Sequence, residues 1–83
     1  MESRVVMFGI IVEETSVVKQ INDLLHEQRD YIVAHVAVPY HERGINVISV
    51  VMDAPENIIS SVSGKLGMLP GVSCKITYSK IPD

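Results

Sequence analysis

The stretch Tyr31-Ile-Val-Ala-His-Val-Ala-Val-Pro-Tyr-His-Glu-Arg-Gly-Ile-Asn-Val-Ile-Ser-Val-Val-Met52 contains two strand-like runs separated by a polar turn. From Tyr31 to Val38 the chain has strand chemistry, with Ile32, Ala34, Val36 and Val38 on one face and Tyr31, Val33, His35 and Ala37 on the other. Pro39 is expected to end that strand. Tyr40-His41-Glu42-Arg43-Gly44 then forms a turn in which Gly44 can take a positive φ. Strand chemistry resumes from Ile45 to Met52. So short a connection cannot hold a crossover, so the two strands form an antiparallel hairpin.

Working outward, Arg4 to Val12 is short, apolar on both alternating faces and rich in β-branched residues, the pattern of a central strand. Between it and the hairpin, Glu13-Glu14-Thr15-Ser16 supplies a hydroxyl N-cap and carboxylates for a helix start. Val17, Val18, Ile21, Leu24, Leu25 and Gln28 follow at helical spacing, so a one-sided helix ends near Arg29. After the hairpin, Asp53-Ala54-Pro55-Glu56 reads as a second helix start, with Asp53 as N-cap and Glu56 completing a capping box. Ile58, Ile59, Val62, Leu66 and Leu69 make its buried stripe, Gly64 and Gly67 loosen its second half, and Pro70-Gly71 closes it. Val72 to Ser79 alternates, with Val72, Cys74, Ile76 and Tyr78 inward and Ser73, Lys75, Thr77 and Ser79 outward.

The order β-α-β-β-α-β is that of the α+β, ferredoxin-like sandwich. Two right-handed crossovers put both helices on one face of a four-stranded antiparallel sheet, with the first and third strands central and the fourth at an edge. With 83 residues the chain is expected to be one domain, 1–83, with no room for a separate reader domain. Its hydrophobic fraction of 47% and mean hydropathy of +0.26 are high for that size. The excess has a location. Val5, Met7 and Ile11 oppose Val6, Phe8, Ile10 and Val12, and Ile45, Val47 and Val51 oppose Ile48, Val50 and Met52, so one apolar set faces away from the helices. A bare patch of several hundred Å² is rare on monomers. The expected partner is a second copy, in a dimer or tetramer, packed through the open sheet face.

Seven Lys and Arg against ten Asp and Glu give a net charge of -3, which provides no basic surface for direct nucleic-acid binding. No apolar run reaches membrane-span length, and the single cysteine with no leader-like start points to a cytoplasmic protein. Nucleophile-elbow, phosphate-loop and zinc-hydrolase motifs are absent, so no catalytic residue, metal ligand or cofactor is assigned and the chain is not expected to be an enzyme. Cys74 alternates with inward residues and reads as a small buried hydrophobe, while His26 suits the carbonyl end of the first helix. His35 falls mid-strand on what should be the interface face. Tyr40, His41 and Arg43, with Glu42, form a polar loop beside it that could meet a small anion or effector. His35, Tyr40, His41 and Arg43 are therefore the candidate ligand-binding residues.

Val-Met-Phe-Gly-Ile-Ile-Val at Val6 to Val12, the hairpin Val38-Pro39-Tyr40-His41-Glu42-Arg43-Gly44-Ile45 and the run Gly64-Lys65-Leu66-Gly67-Met68-Leu69-Pro70-Gly71-Val72 together resemble the iron-only hydrogenase system regulator family. Those proteins look like free-standing ACT-like domains, similar to the C-terminal effector domain of nickel-responsive repressors. The resemblance implies a regulatory module of a hydrogenase system that senses a ligand or binds a partner protein, with no DNA-binding domain of its own. It also raises a transition-metal sensor with a subunit-interface site as the alternative. His35 matches the first position of the repressor's His-x-His, but the second falls on Ala37 and the hairpin has no cysteine, short of the four N or S donors of a square-planar nickel site.

Overall fold

A computed structural model describes residues 2–80. The ends of the expected domain, Met1 and 81–83, lie outside the described residues. The elements are β1 (Ser3–Val12), α1 (Val18–Glu27), β2 (Ile32–Tyr40), β3 (Ile45–Pro55), α2 (Glu56–Gly67) and β4 (Val72–Tyr78). Single 3₁₀ turns over Thr15–Val17, Arg29–Tyr31 and His41–Arg43 join them. The sheet order is β2-β3-β1-β4, with all three neighbouring pairs antiparallel. This is the ferredoxin-like arrangement expected from the element order, with β1 and β3 central.

Register decides the faces. Val6, Phe8, Ile10 and Val12 of β1 and Ile48, Val50, Met52 and Ala54 of β3 are buried, and form one core with Val17, Ile21, Leu24 and Leu25 and with Ile59, Val62 and Leu66 of the helices. Both helices therefore cover the same side. Val72, Cys74, Ile76 and Tyr78 of β4 pack at the margin of that core while Ser73, Lys75 and Thr77 are exposed, as the alternation predicts.

Several local expectations are corrected. Pro39 does not end β2: it pairs with Asn46 inside the strand, which is possible because β2 is an edge strand with one side free of ladder bonds. Asp53 does not cap α2. The β1–β3 ladder continues past it to Pro55, with Val5 opposite Asp53, and α2 starts after Pro55 without a side-chain cap. The long-range pairing wins over a local cap. No side chain caps α1, whose N-cap is Val17; the Glu14 carboxylate instead caps the preceding 3₁₀ turn, accepting from the Ser16 N–H and, at 2.9 Å, from the Ser16 hydroxyl. The α-helix itself stops at Glu27, and Tyr31 belongs to the following 3₁₀ turn rather than to β2.

Gly71, with φ 68°, is required. Its carbonyl accepts from the Glu13 N–H at 2.7 Å, and a Cβ there would lie 2.6 Å from Glu14 Cβ and 2.8 Å from the Glu14 backbone nitrogen. The exit of β1 and the start of β4 are thus held in direct backbone contact. At the other end of β4, Arg4 stacks over the Tyr78 ring at 4.6 Å and the Tyr78 hydroxyl donates to Glu56 Oε1 at 3.2 Å, tying β1, β4 and α2 together.

Candidate functional site

The structure distributes the four candidate ligand residues rather than gathering them. Tyr40 ends β2 opposite Ile45, on the face without helices, and its hydroxyl donates to Glu42 Oε2 at 3.4 Å. His41 and Arg43 are exposed in the 3₁₀ turn, which closes with the Gly44 N–H donating to the His41 carbonyl at 3.2 Å and Gly44 at φ 65°. His35 lies apart. It pairs with Val50, a core-facing residue, so it sits on the helix side of the sheet and not on the open face where simple alternation puts it.

The cause is a β-bulge. The register shifts between Ile32 and Ala34, leaving Val33 as the extra residue at 66% exposure. Ile32 therefore pairs with core-facing Met52, while Ala34, Val36 and Val38 pair with Val51, Ser49 and Val47 on the open face. A bulge re-aims the side chains on either side of it. His35 and His41 are also six positions apart on extended backbone, about 20 Å at ordinary strand rise. Among the described residues no group of three or more His, Cys, Asp or Glu could hold a metal ion, so a metal site built on His35 would need donors from a second chain.

Two features emerge instead. The first is the open face. Val5, Met7 and Ile11 of β1, Val36 and Val38 of β2 and Val47 of β3 are all exposed there, with Met7 at 45% and Val36 at 58%. By standard strand spacing a three-stranded apolar patch of this length measures about 14 by 26 Å, roughly 370 Å² in projection. The second is a groove on the helix side, lined by His35, by Asn22 and His26 of α1 and by Arg29 of the 3₁₀ turn that follows it. Asn22 and His26 lie at i and i+4, on one face of the helix. That signal was present in the sequence, but only the bulge in β2 reveals what it faces.

Burial pushes the Cys74 thiol up, away from thiolate, and the side chain packs at the core margin. Among the described residues no helix is long and apolar enough to cross a membrane.

Comparison with known proteins agrees with this architecture. The uncharacterized protein TM1266 from Thermotoga maritima superposes with a TM-score of 0.89 at 31% identity, over 95% of this chain and 100% of that one. A formyltetrahydrofolate deformylase from Pseudomonas putida KT2440 matches with a TM-score of 0.64 at 15% identity, over 88% of this chain but only 28% of the deformylase, a likeness of fold alone. No curated protein matches the chain. Residues 4–76 match the TM1266-like family, described as "Iron-only hydrogenase system regulator, putative", and with that match spanning nearly all of the sheet and both helices, the chain belongs to this family.

Proposed function

We propose that this chain is a non-enzymatic, cytoplasmic regulatory module of an iron-only hydrogenase system that works as a homo-oligomer, with the open sheet face of one copy packed on that of another. The family match supports the regulatory part. The observation that carries the assembly is the open face itself: Met7, Ile11, Val36, Val38 and Val47 are exposed together on three adjacent strands. In projection the patch is about half of the roughly 800 Å² per copy that a stable interface buries, so it would form the apolar centre of that interface and not the whole of it. Apolar area removed from water contributes about 25 cal/mol per Å², the main favourable contribution against the entropy lost on association. Such a module would act through a small effector or a partner protein, because the net charge of -3 gives it no electrostatic hold on nucleic acid.

Native mass spectrometry and light scattering at micromolar concentration test this reading. A dimer or tetramer is expected, and the Met7→Asp/Val36→Asp double variant should be a folded monomer. A wild-type chain that stays monomeric would remove the assembly from the proposal.

A further inference from the structure

Strand β2 leaves one backbone edge open. From Ala34 opposite Val51 to Tyr40 opposite Ile45 it pairs with β3 in regular register. Pro39 has no N–H, and within a sheet proline sits where the backbone nitrogen faces away from the neighbouring strand. Backbone direction alternates along an antiparallel ladder, so Ala37 and His35 likewise turn their N–H and C=O groups away from β3. Apart from the sheet ladders, no backbone bond among the described residues reaches Ile32 to Tyr40. The side chains do little to protect this edge: Ile32 to Tyr40 contains no Lys, Arg, Asp or Glu, whereas β4 carries Lys75. What protection exists lies at its ends, in the bulge at Val33 and in Pro39.

We infer that the β2 edges of two copies of this chain pair antiparallel about a two-fold axis at Val36, joining their sheets into one. A two-fold pairing must set outward-facing residues against each other, which leaves few registers. Centred on Ala37, it would place His35 against Pro39, which cannot return a bond; centred on His35, it would place Ala37 against the bulged Val33. Centred on Val36, His35 of each copy exchanges both N–H···O bonds with Ala37 of the other, and the ladder ends where proline falls opposite bulge. The same centre brings Val36 against Val36 and Ala34 against Val38 on the open face, an apolar seam without a charge. Area gives a second reason. Two open-face patches of roughly 370 Å² joined along this seam give roughly 740 Å² in projection, close to the roughly 800 Å² per partner of a stable interface. Face-to-face packing of two such pairs makes a tetramer. The edge pairing rests on the self-associating chain proposed above but adds a contact of its own, through the strand edge and not the sheet face.

Native mass spectrometry and residue-resolved amide exchange of the full chain test it together. The wild type is expected to be a tetramer whose His35 and Ala37 amides are protected at least about 10-fold more than in the Met7→Asp/Val36→Asp variant, while the Val38 amide, directed at β3, is slow in both. Met7→Asp burdens the face alone and should give a dimer that keeps this protection. Ala37→Pro removes an outward N–H and no bond to β3, and should abolish the tetramer; should that variant not fold, the wild-type amides decide alone. Assembled wild type whose His35 and Ala37 amides exchange as fast as in the double variant would overturn the edge pairing and leave face packing standing. A wild type that stays monomeric, or a folded Ala37→Pro that assembles as wild type does, would also overturn it. A dimer with protected amides and no response to Met7→Asp would instead sustain the edge pairing and remove the face packing.

Discussion

Strand β4, at one edge of the sheet, keeps Val72, Cys74, Ile76 and Tyr78 at the core margin beneath the helices and turns Ser73, Lys75 and Thr77 to water. Strand β2, at the other edge, is exposed from Val33 to Tyr40, yet carries Val36, Val38 and alanines where β4 carries lysine and hydroxyls. The helices account for half of the contrast: their buried residues reach β4, while on β2 only Ile32 joins the core. Composition accounts for the rest. An edge strand meant for solvent is blunted with charge or polar residues, and β4 conforms while β2 does not. The assembly proposed above would cover β2 and the adjoining open face, which is how it accounts for the contrast.

The largest effect should come from releasing the β4 edge. Gly71→Ala places a Cβ against Glu14 in a left-handed conformation that alanine disfavours. A loss of about 3 kcal/mol in denaturant unfolding is expected. A loss below about 1 kcal/mol would show that the β1–β4 junction has room to shift.

Next comes the β2 side. Val36→Asp should weaken self-association at least about 10-fold by sedimentation or light scattering, because it buries an unpaired carboxylate in the proposed interface. Thr77→Asp, on the same sheet face but on polar β4, should leave association within about 3-fold of wild type. Equal effects from the two substitutions would erase the asymmetry between the edges.

Within β4 itself the two faces can be compared by thiol chemistry. Cys74 faces the helices opposite Ile10, and its thiol is pushed up by burial, so less thiolate is present at neutral pH. Its alkylation should be about 10-fold slower than that of a cysteine placed by Thr77→Cys on the outer face, in a Cys74→Ala background. Equal rates would mean that the inner face of β4 opens readily.

What was legible in the sequence follows the range of the forces involved. That β1 and β3 are central and apolar on both faces could be read from their alternation, but which set is core, Val6, Phe8, Ile10 and Val12 with Ile48, Val50 and Met52, only the structure decides. Asp53 was misread because capping is local, while its pairing with Val5 depends on how far β1 extends some fifty positions away. Pro39 was misread because only the sheet order reveals that β2 is an edge. His35 went to the wrong face because a bulge inverts alternation without any glycine or proline to announce it. Its consequence was that His35, Tyr40, His41 and Arg43 looked like one site, whereas the structure joins His35 to Asn22, His26 and Arg29.

The smallest expected effect lies where β4 is tied to α2. Tyr78→Phe removes the hydroxyl that donates to Glu56 Oε1 at 3.2 Å but keeps the ring under Arg4. Since the bond is solvent-accessible, about 0.5 kcal/mol of stability should be lost. Its pH dependence has a definite sign. Desolvation, then the hydrogen bond to Glu56 and the negative charge of that group, raise the Tyr78 pKa, against a smaller opposing effect of Arg4. A phenol whose pKa is raised by folding contributes fully below its unfolded value, and the contribution disappears as pH climbs through the folded value. The difference between wild type and Tyr78→Phe should therefore be constant across neutral pH and shrink only in alkali. A difference that persisted undiminished in alkali would show that the phenol's hydrogen bond to Glu56 is not its source.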